Sequence, residues 1–118
     1  MKPKYEYILR TCNKDGTSNY GFRWPKRGPV ACKDWDPAPE CGHGLHGLLR
    51  GEGDGTLLAW EGLWQVVRVK ASEVVKIGTG KCKFQRGVVV YTGSRAEATQ
   101  RIRRHYPAAA IVGITDDG

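Results

Sequence analysis

Apolar and polar positions alternate along several short runs of this chain and fall at helical spacing in one longer run. Tyr5 to Leu9 (YEYIL) is rich in β-formers and leads into Arg10-Thr11-Cys12, which predicts a first strand. Leu63 to Val69 (LWQVVRV) alternates imperfectly and is β-branched, so it reads as a strand, and Glu73 to Ile77 (EVVKI) reads as a shorter one. Cys82–Phe84 and Val88–Tyr91 flank Gln85-Arg86-Gly87, a pattern that predicts a hairpin or a bulge. Ser94 to Tyr106 carries the helical signal. Ser94 caps the first turn, Glu97 stands where a capping box needs it, and Ala98, Ile102 and Tyr106 recur on one face. Pro107 ends that helix, and Ala108 to Ile114 (AAAIVGI) predicts a final strand before a frayed tail.

The remaining segments are irregular. Asn13 to Tyr20 is turn chemistry, and Gly21 to Pro39 holds four prolines and two tryptophans with little periodicity. Proline restricts itself and the residue before it, while Trp24 and Trp35 favour burial, so this is an ordered, extended loop. Thr56 to Trp60 fits a helical turn or a short strand. The expected fold is α+β: a small, mostly antiparallel sheet, one C-terminal helix, and a long irregular, Gly/Pro-rich N-terminal half. At 118 residues the chain is expected to be a single domain, 1–118, without repeats or linkers.

Glu40 to Gly55 (ECGHGLHGLLRGEGDG) concentrates candidate chemistry. It holds Cys41, His43, His46, Glu52 and Asp54 among six glycines. Glycine packs poorly and is costly to order, so such a run belongs where backbone bends sharply or approaches something closely. His46 lies between flanking glycines, where one imidazole can be placed as base, ligand contact or hydrogen-bonding anchor. Cys41, His43 and His46 are spaced C-x-H-x-x-H, with Cys32 upstream, which is not the paired spacing of structural zinc sites. No metal and no cofactor are expected. Glu52 and Asp54 fit a solvated turn as well as acid–base work, and GEGDG lacks the strand-to-helix frame of a phosphate loop.

Charge then changes the picture. With 19 basic and 12 acidic residues the formal charge is +7, which favours acidic partners. Arg95, Arg101 and Arg104 lie on the terminal helix, Lys83 and Arg86 on the neighbouring strands, and Arg23 beside Trp24; arginine interleaved with aromatics suits phosphate contact and base stacking. These are the candidate binding residues. No stretch reaches the roughly 18–20 apolar residues of a membrane helix, and MKPKYEYILR has no apolar signal core. The expectation is a cytoplasmic protein with thiol cysteines, Cys12 and Cys82 buried, and no membrane partner.

The motifs RTC (Arg10 to Cys12), GFRWP (Gly21 to Pro25), DWDP (Asp34 to Pro37), ECGHGLHG and GEGDG resemble small domains of unknown function from phages and mobile elements. The resemblance spans Tyr5 to Ile102, and Cys41, Gly44, Leu45 and His46 match the shared Cys-Gly-x-Gly-Leu-His motif. It implies a phage setting and a binding protein that contacts nucleic acid or a nucleic-acid-handling host complex, as an anti-CRISPR-like inhibitor of host defence. The alternative is a small nucleotide-handling enzyme, similar at the level of fold to ADP-ribosyltransferases. In that reading Arg10 and His46 grip a dinucleotide or phosphate, and Glu52 or Asp54 acts on the reacting centre.

Overall fold

Burial is nearly continuous along two strands, which places them at the centre of a sheet covered on both faces. They are β1 (Tyr5–Cys12) and β4 (Leu63–Lys70). The computed structural model describes residues 3–18, 21–40 and 42–114. Around the central pair lie β2 (Gly28–Ala31), β3 (Leu45–Leu49), β5 (Val75–Lys76), β6 (Lys81–Phe84) and β7 (Arg86–Gly93). The seven strands form one antiparallel sheet in the order β2-β7-β4-β1-β3-β6-β5, and a single helix, α1 (Arg95–His105), follows. The fold is α+β.

Connectivity makes the sheet curl. β6 and β7 are separated only by Gln85, yet β6 pairs with β3 while β7 pairs with β4 and β2. One run of chain therefore serves positions near both ends of the strand order, which a flat sheet could not allow. Cys32 N–H donates to the Gln85 carbonyl at 3.0 Å and holds the seam. Ile8, Val67, Val69, Leu45 and Phe84 pack inside the curl, where Trp24, Val30 and Cys32 close the core. Leu9, Trp64 and Val66 face the other way, onto Ala98, Ile102 and Ile111. Each fully buried large side chain in these clusters contributes about 1.5–3 kcal/mol.

The helix begins as its sequence demands, with one difference. Ser94 Oγ accepts the Glu97 N–H at 3.2 Å, but the Glu97 carboxylate turns away to Arg101 Nε at 2.9 Å. The Ser94 N–H is satisfied instead by the Tyr91 hydroxyl at 2.9 Å, so the capping box is half formed. Ala98 and Ile102 are fully buried and Tyr106 is half-buried. Beyond it, Tyr106 Oη donates to Glu6 at 2.8 Å, and Arg50 Nη2 lies 2.9 Å from the same carboxylate. That ion pair ties the helix end to β1 and to the turn after β3.

Several expected elements differ. Gln85-Arg86-Gly87 is no hairpin turn, because the two strands continue past each other to separate partners. Residues 108–114 form turns rather than a strand: Val112 N–H donates to Gly51 at 2.8 Å, and the chain is held by Ile111 in the core. Within 73–77 only Val75–Lys76 is strand, preceded by a 3-10 turn at Ala71–Glu73. Residues 56–60 open in a 3-10 turn at Gly55–Leu57, with Asp54 Oδ1 accepting the Thr56 N–H. The N-terminal half is less irregular than expected, since it contributes β1, β2 and β3. Among the described residues, no helix is long and apolar enough to cross a membrane.

The approach to β4 leaves no room for a side chain. A Cβ on Gly62 would stand 2.0 Å from the Cys12 carbonyl oxygen. Gly62→Ala is expected to lower stability by about 2–3 kcal/mol, because backbone must move at the β1–β4 pairing. Gly78→Ala is the control: its Cβ would meet nothing nearer than Lys81 Cβ at 3.8 Å, and the change should stay within about 0.5 kcal/mol. Urea midpoints of the two variants check this.

Candidate functional site

Arg10 and His46 come together because β1 and β3 are neighbours. Arg10 lies in the curl of the sheet and is buried. Its Nε donates to the His46 carbonyl at 3.2 Å, its Nη1 donates to Gln65 Oε1, and its guanidinium stacks 3.6 Å from the centroid of the Trp24 ring. Gln65 in turn donates to Thr92 Oγ1 at 2.9 Å and to the Pro25 carbonyl at 3.2 Å. Thr92 Oγ1 donates to the Lys26 carbonyl at 2.7 Å. The proline-rich loop is thereby pinned onto the sheet by polar groups that are themselves satisfied. Burial pulls the Arg10 guanidinium down to about 10, against the opposing influence of Cys12, and leaves it a cation at neutral pH.

His46 sits beside this network on the opposite sheet face. In the β3–β6 pairing it stands directly across from Lys83, so the two side chains emerge side by side. Burial lowers the imidazole pKa first, and Lys81, Lys83 and Arg10 lower it further against a weaker opposing pull from Asp34. His46 Nε2 is buried and, among the described residues, has no hydrogen-bond partner. Arg10 binds the His46 backbone carbonyl and not its imidazole. A cavity of about 460 Å³ opens beside it, reached by Arg10, Thr11, Cys12, Gly42, His46 and Lys81.

The two acids expected to join Arg10 and His46 do not. Glu52 Oε2 accepts the Ala110 N–H at 2.9 Å, and Asp54 is occupied by the Thr56 N–H and hydroxyl, past the other end of β3. Those bonds from Thr56 hold the Asp54 carboxyl below its usual range. The Cys41 thiol of the Cys/His motif lies outside the described residues. His43 is exposed, with Nδ1 3.7 Å from Asp34. No group of three or more metal-capable side chains gathers among the described residues.

The proposed basic surface is also dispersed. Lys83 is fully buried rather than exposed, and Trp24 lies under Arg10 where no base could stack on it. Arg86 pairs with Glu73 at 3.0 Å, and Arg23 donates to the Asp15 carbonyl at 2.8 Å. On α1, Arg101 pairs with Glu97 and lies 4.7 Å from the Tyr91 ring centroid, and Arg104 reaches the same carboxylate at 3.7 Å. Arg95 stands 5.4 Å from the centroid of Trp60. These arginines are engaged by neighbouring carboxylates, rings and a backbone carbonyl. Sequence reasoning missed Gln65 at the site; a glutamine inside the apolar run LWQVVRV was the available signal.

Comparison with known proteins changes the functional picture. The chain is 36% identical over 102 residues to an ice nucleation protein of Xanthomonas campestris pv. translucens, covering 84% of this chain and 6% of that protein. It is 37% identical over 108 residues to the ice nucleation protein InaU of Pantoea ananas, covering 89% of this chain and 10% of the relative. An ice nucleation protein of Pseudomonas fluorescens is 34% identical over 101 residues, covering 83% and 8%. The chain thus spans about a tenth or less of the length of the curated relatives it matches. No family model and no solved structure matches it. Similarity along most of the chain overturns the phage, host-defence and nucleic-acid readings and the ADP-ribosyltransferase alternative. The cytoplasmic location and the absence of a membrane partner, inferred from the lack of an apolar signal core and of a membrane-length apolar stretch, are overturned by the same similarity.

The environment of His46 sets a pH dependence. Its folded pKa lies below the ordinary value of 6.5, so the unfolded chain takes up the proton first as pH falls. Stability is retained above about pH 6.5 and declines below it until the folded imidazole also protonates. His46→Gln should flatten the change in urea midpoint between about pH 7 and 5, measured against the parent chain.

Proposed function

We propose that residues 1–118 act as one folded module of the ice-nucleation-protein type, a module that accompanies the ice-forming part of such a protein and is not itself the template. The observation that carries this reading is the asymmetry of coverage: 83–89% of this chain matches, against 6–10% of each relative just described. A small region shared by long proteins is a module, and the physical form of this one argues against templating. Ordering water into an ice embryo requires a flat, extended and periodic array of groups in register with the ice lattice. This sheet is curled, and its two central strands, β1 and β4, are buried on both faces. The described residues measure only 39 × 38 × 26 Å along the principal axes.

The exposed surface suits attachment to other parts of a longer assembly. Leu57 and Trp60 are its exposed large apolar side chains among the described residues, 50% and 45% accessible. They share one loop. Trp60 Nε1 donates to the Gly55 carbonyl at 2.8 Å, and its ring meets Trp64 edge-on at 5.4 Å, so the loop is braced against the core. A rigid aromatic presented on a braced loop loses little side-chain entropy on contact.

Droplet freezing tests the reading. The purified chain should freeze water at the temperature of a basic globular protein of similar mass. An InaU chimera whose matching segment is exchanged for this chain should freeze droplets as the parent does, while deletion of the segment impairs it. Freezing several degrees warmer by the isolated chain, or a chimera as poor as the deletion, overturns the proposal.

A further inference from the structure

The helix covers only part of its side of the sheet. On β4 the side chains packed with α1 are Trp64 and Val66. By the two-residue period of a strand, Arg68 and Lys70 follow them on the same face, and on β1 Tyr5 follows Leu9 and Tyr7. Cross-strand registers extend this face toward the sheet border: Arg68 stands opposite Val88, and Val88 opposite Pro29. A cavity of about 460 Å³ lies here, lined by Tyr5, Pro29, Ala31, Arg68, Lys70 and Val88 among others, with no residue of α1 on its wall.

The lining has two chemical characters. Pro29, Ala31 and Val88 form an apolar floor. Beside it the Arg68 guanidinium lies 4.9 Å from the centroid of the Tyr5 ring, a cation–π contact that restrains the side chain. Glu73 also lines the cavity, but both its oxygens accept from Arg86, at 3.0 and 3.2 Å. Among the described residues no carboxylate pairs with Arg68 or Lys70. The cavity therefore joins an apolar floor to two cations whose charge is not neutralised.

The occupant follows from these features. A second copy of this chain would set the same cations against each other. A protein interface is centred on large buried anchors, above all aromatic ones, yet the exposed large apolar side chains among the described residues, Leu57 and Trp60, are not on this lining. The volume falls in the range of small-molecule sites, roughly 300–1,000 Å³. We infer that this cavity binds a small amphipathic anion: an apolar body on Pro29, Ala31 and Val88, and one anionic headgroup held by Arg68 and Lys70. A guanidinium fork receives two oxygens of such a headgroup, and the ammonium adds a point charge. This site is independent of the module reading above.

Titration of the full chain decides it. Sodium octanoate, below its micelle concentration, is added at constant ionic strength while the amide ¹H–¹⁵N resonances are followed. It should move Val30, Ala31, Arg68 and Val88 saturably. Acetate has the charge without the body, and octylammonium the body with the opposite charge; each should bind about tenfold or more weakly. Octyl sulfate should compete for the same site, and its affinity relative to octanoate tells a sulfate-like headgroup from a carboxylate. Arg68→Gln combined with Lys70→Gln should weaken octanoate by about tenfold or more, with Tm unchanged because neither cation has a carboxylate partner. Arg95→Gln, which removes a charge beside Trp60 instead, should leave the affinity as it was. Equal shifts with octylammonium, shifts centred on Leu57 and Trp60, or an affinity that survives the double change would each overturn the assignment. The charge series and the shift map of the parent chain decide the matter even if the double variant does not fold.

Discussion

A single residue, Gln85, sets the shape of this molecule. It separates two strands that pair at opposite ends of the sheet order, and that requirement forces the sheet to close toward itself. Closure creates the interior in which Trp24, Val30 and Cys32 meet residues from β1, β3, β4 and β6. It also converts the strand that carries Arg10 into a wall, so that a cation which an open sheet would leave in water must be accommodated indoors.

The protein accommodates its two inner cations differently. Arg10 is fully engaged: a ring lies against its plane, and two oxygens accept its N–H groups. Guanidinium is weakly hydrated and planar, so it tolerates such a place, and the acceptors that hold it also hold the proline-rich loop. Lys83 is a compact, strongly hydrated charge with a ring at its side and, among the described residues, no acceptor. One site is finished and rigid. The other is closed to solvent and set against a ring.

Much of the local structure was legible from the chain. The Ser94 cap and the Ala98–Ile102–Tyr106 spacing specified α1, and alternation specified β1 and β4, because these signals depend on neighbours in sequence. Pairing is another matter. Gln85-Arg86-Gly87 carries turn chemistry, yet the partners of β6 and β7 are chosen by strands far away, which no local pattern records. The AAAIVGI segment is apolar because Ile111 packs beneath α1, a reason unrelated to strand formation. At the site, Arg10 and His46 were identified as a pair, whereas Lys83 was misplaced since a lysine in an alternating run reads as outward-facing. Glu52 and Asp54 looked reactive in isolation and proved to be satisfied by Ala110 and Thr56. Motif resemblance pointed toward a nucleic-acid-directed phage function, and the similarity to ice nucleation proteins overturned that function.

Both borders of the sheet are blunted. β2 has only four residues, with Pro29 removing one donor, and β5 has two. A long assembly that brings many copies of such a module close together is at constant risk of strand addition from one copy to the next, the route by which β-proteins aggregate. Here the unpaired backbone at each border is too short to template another chain. Copies crowded at high local density would meet through side chains and not by fusion of their sheets.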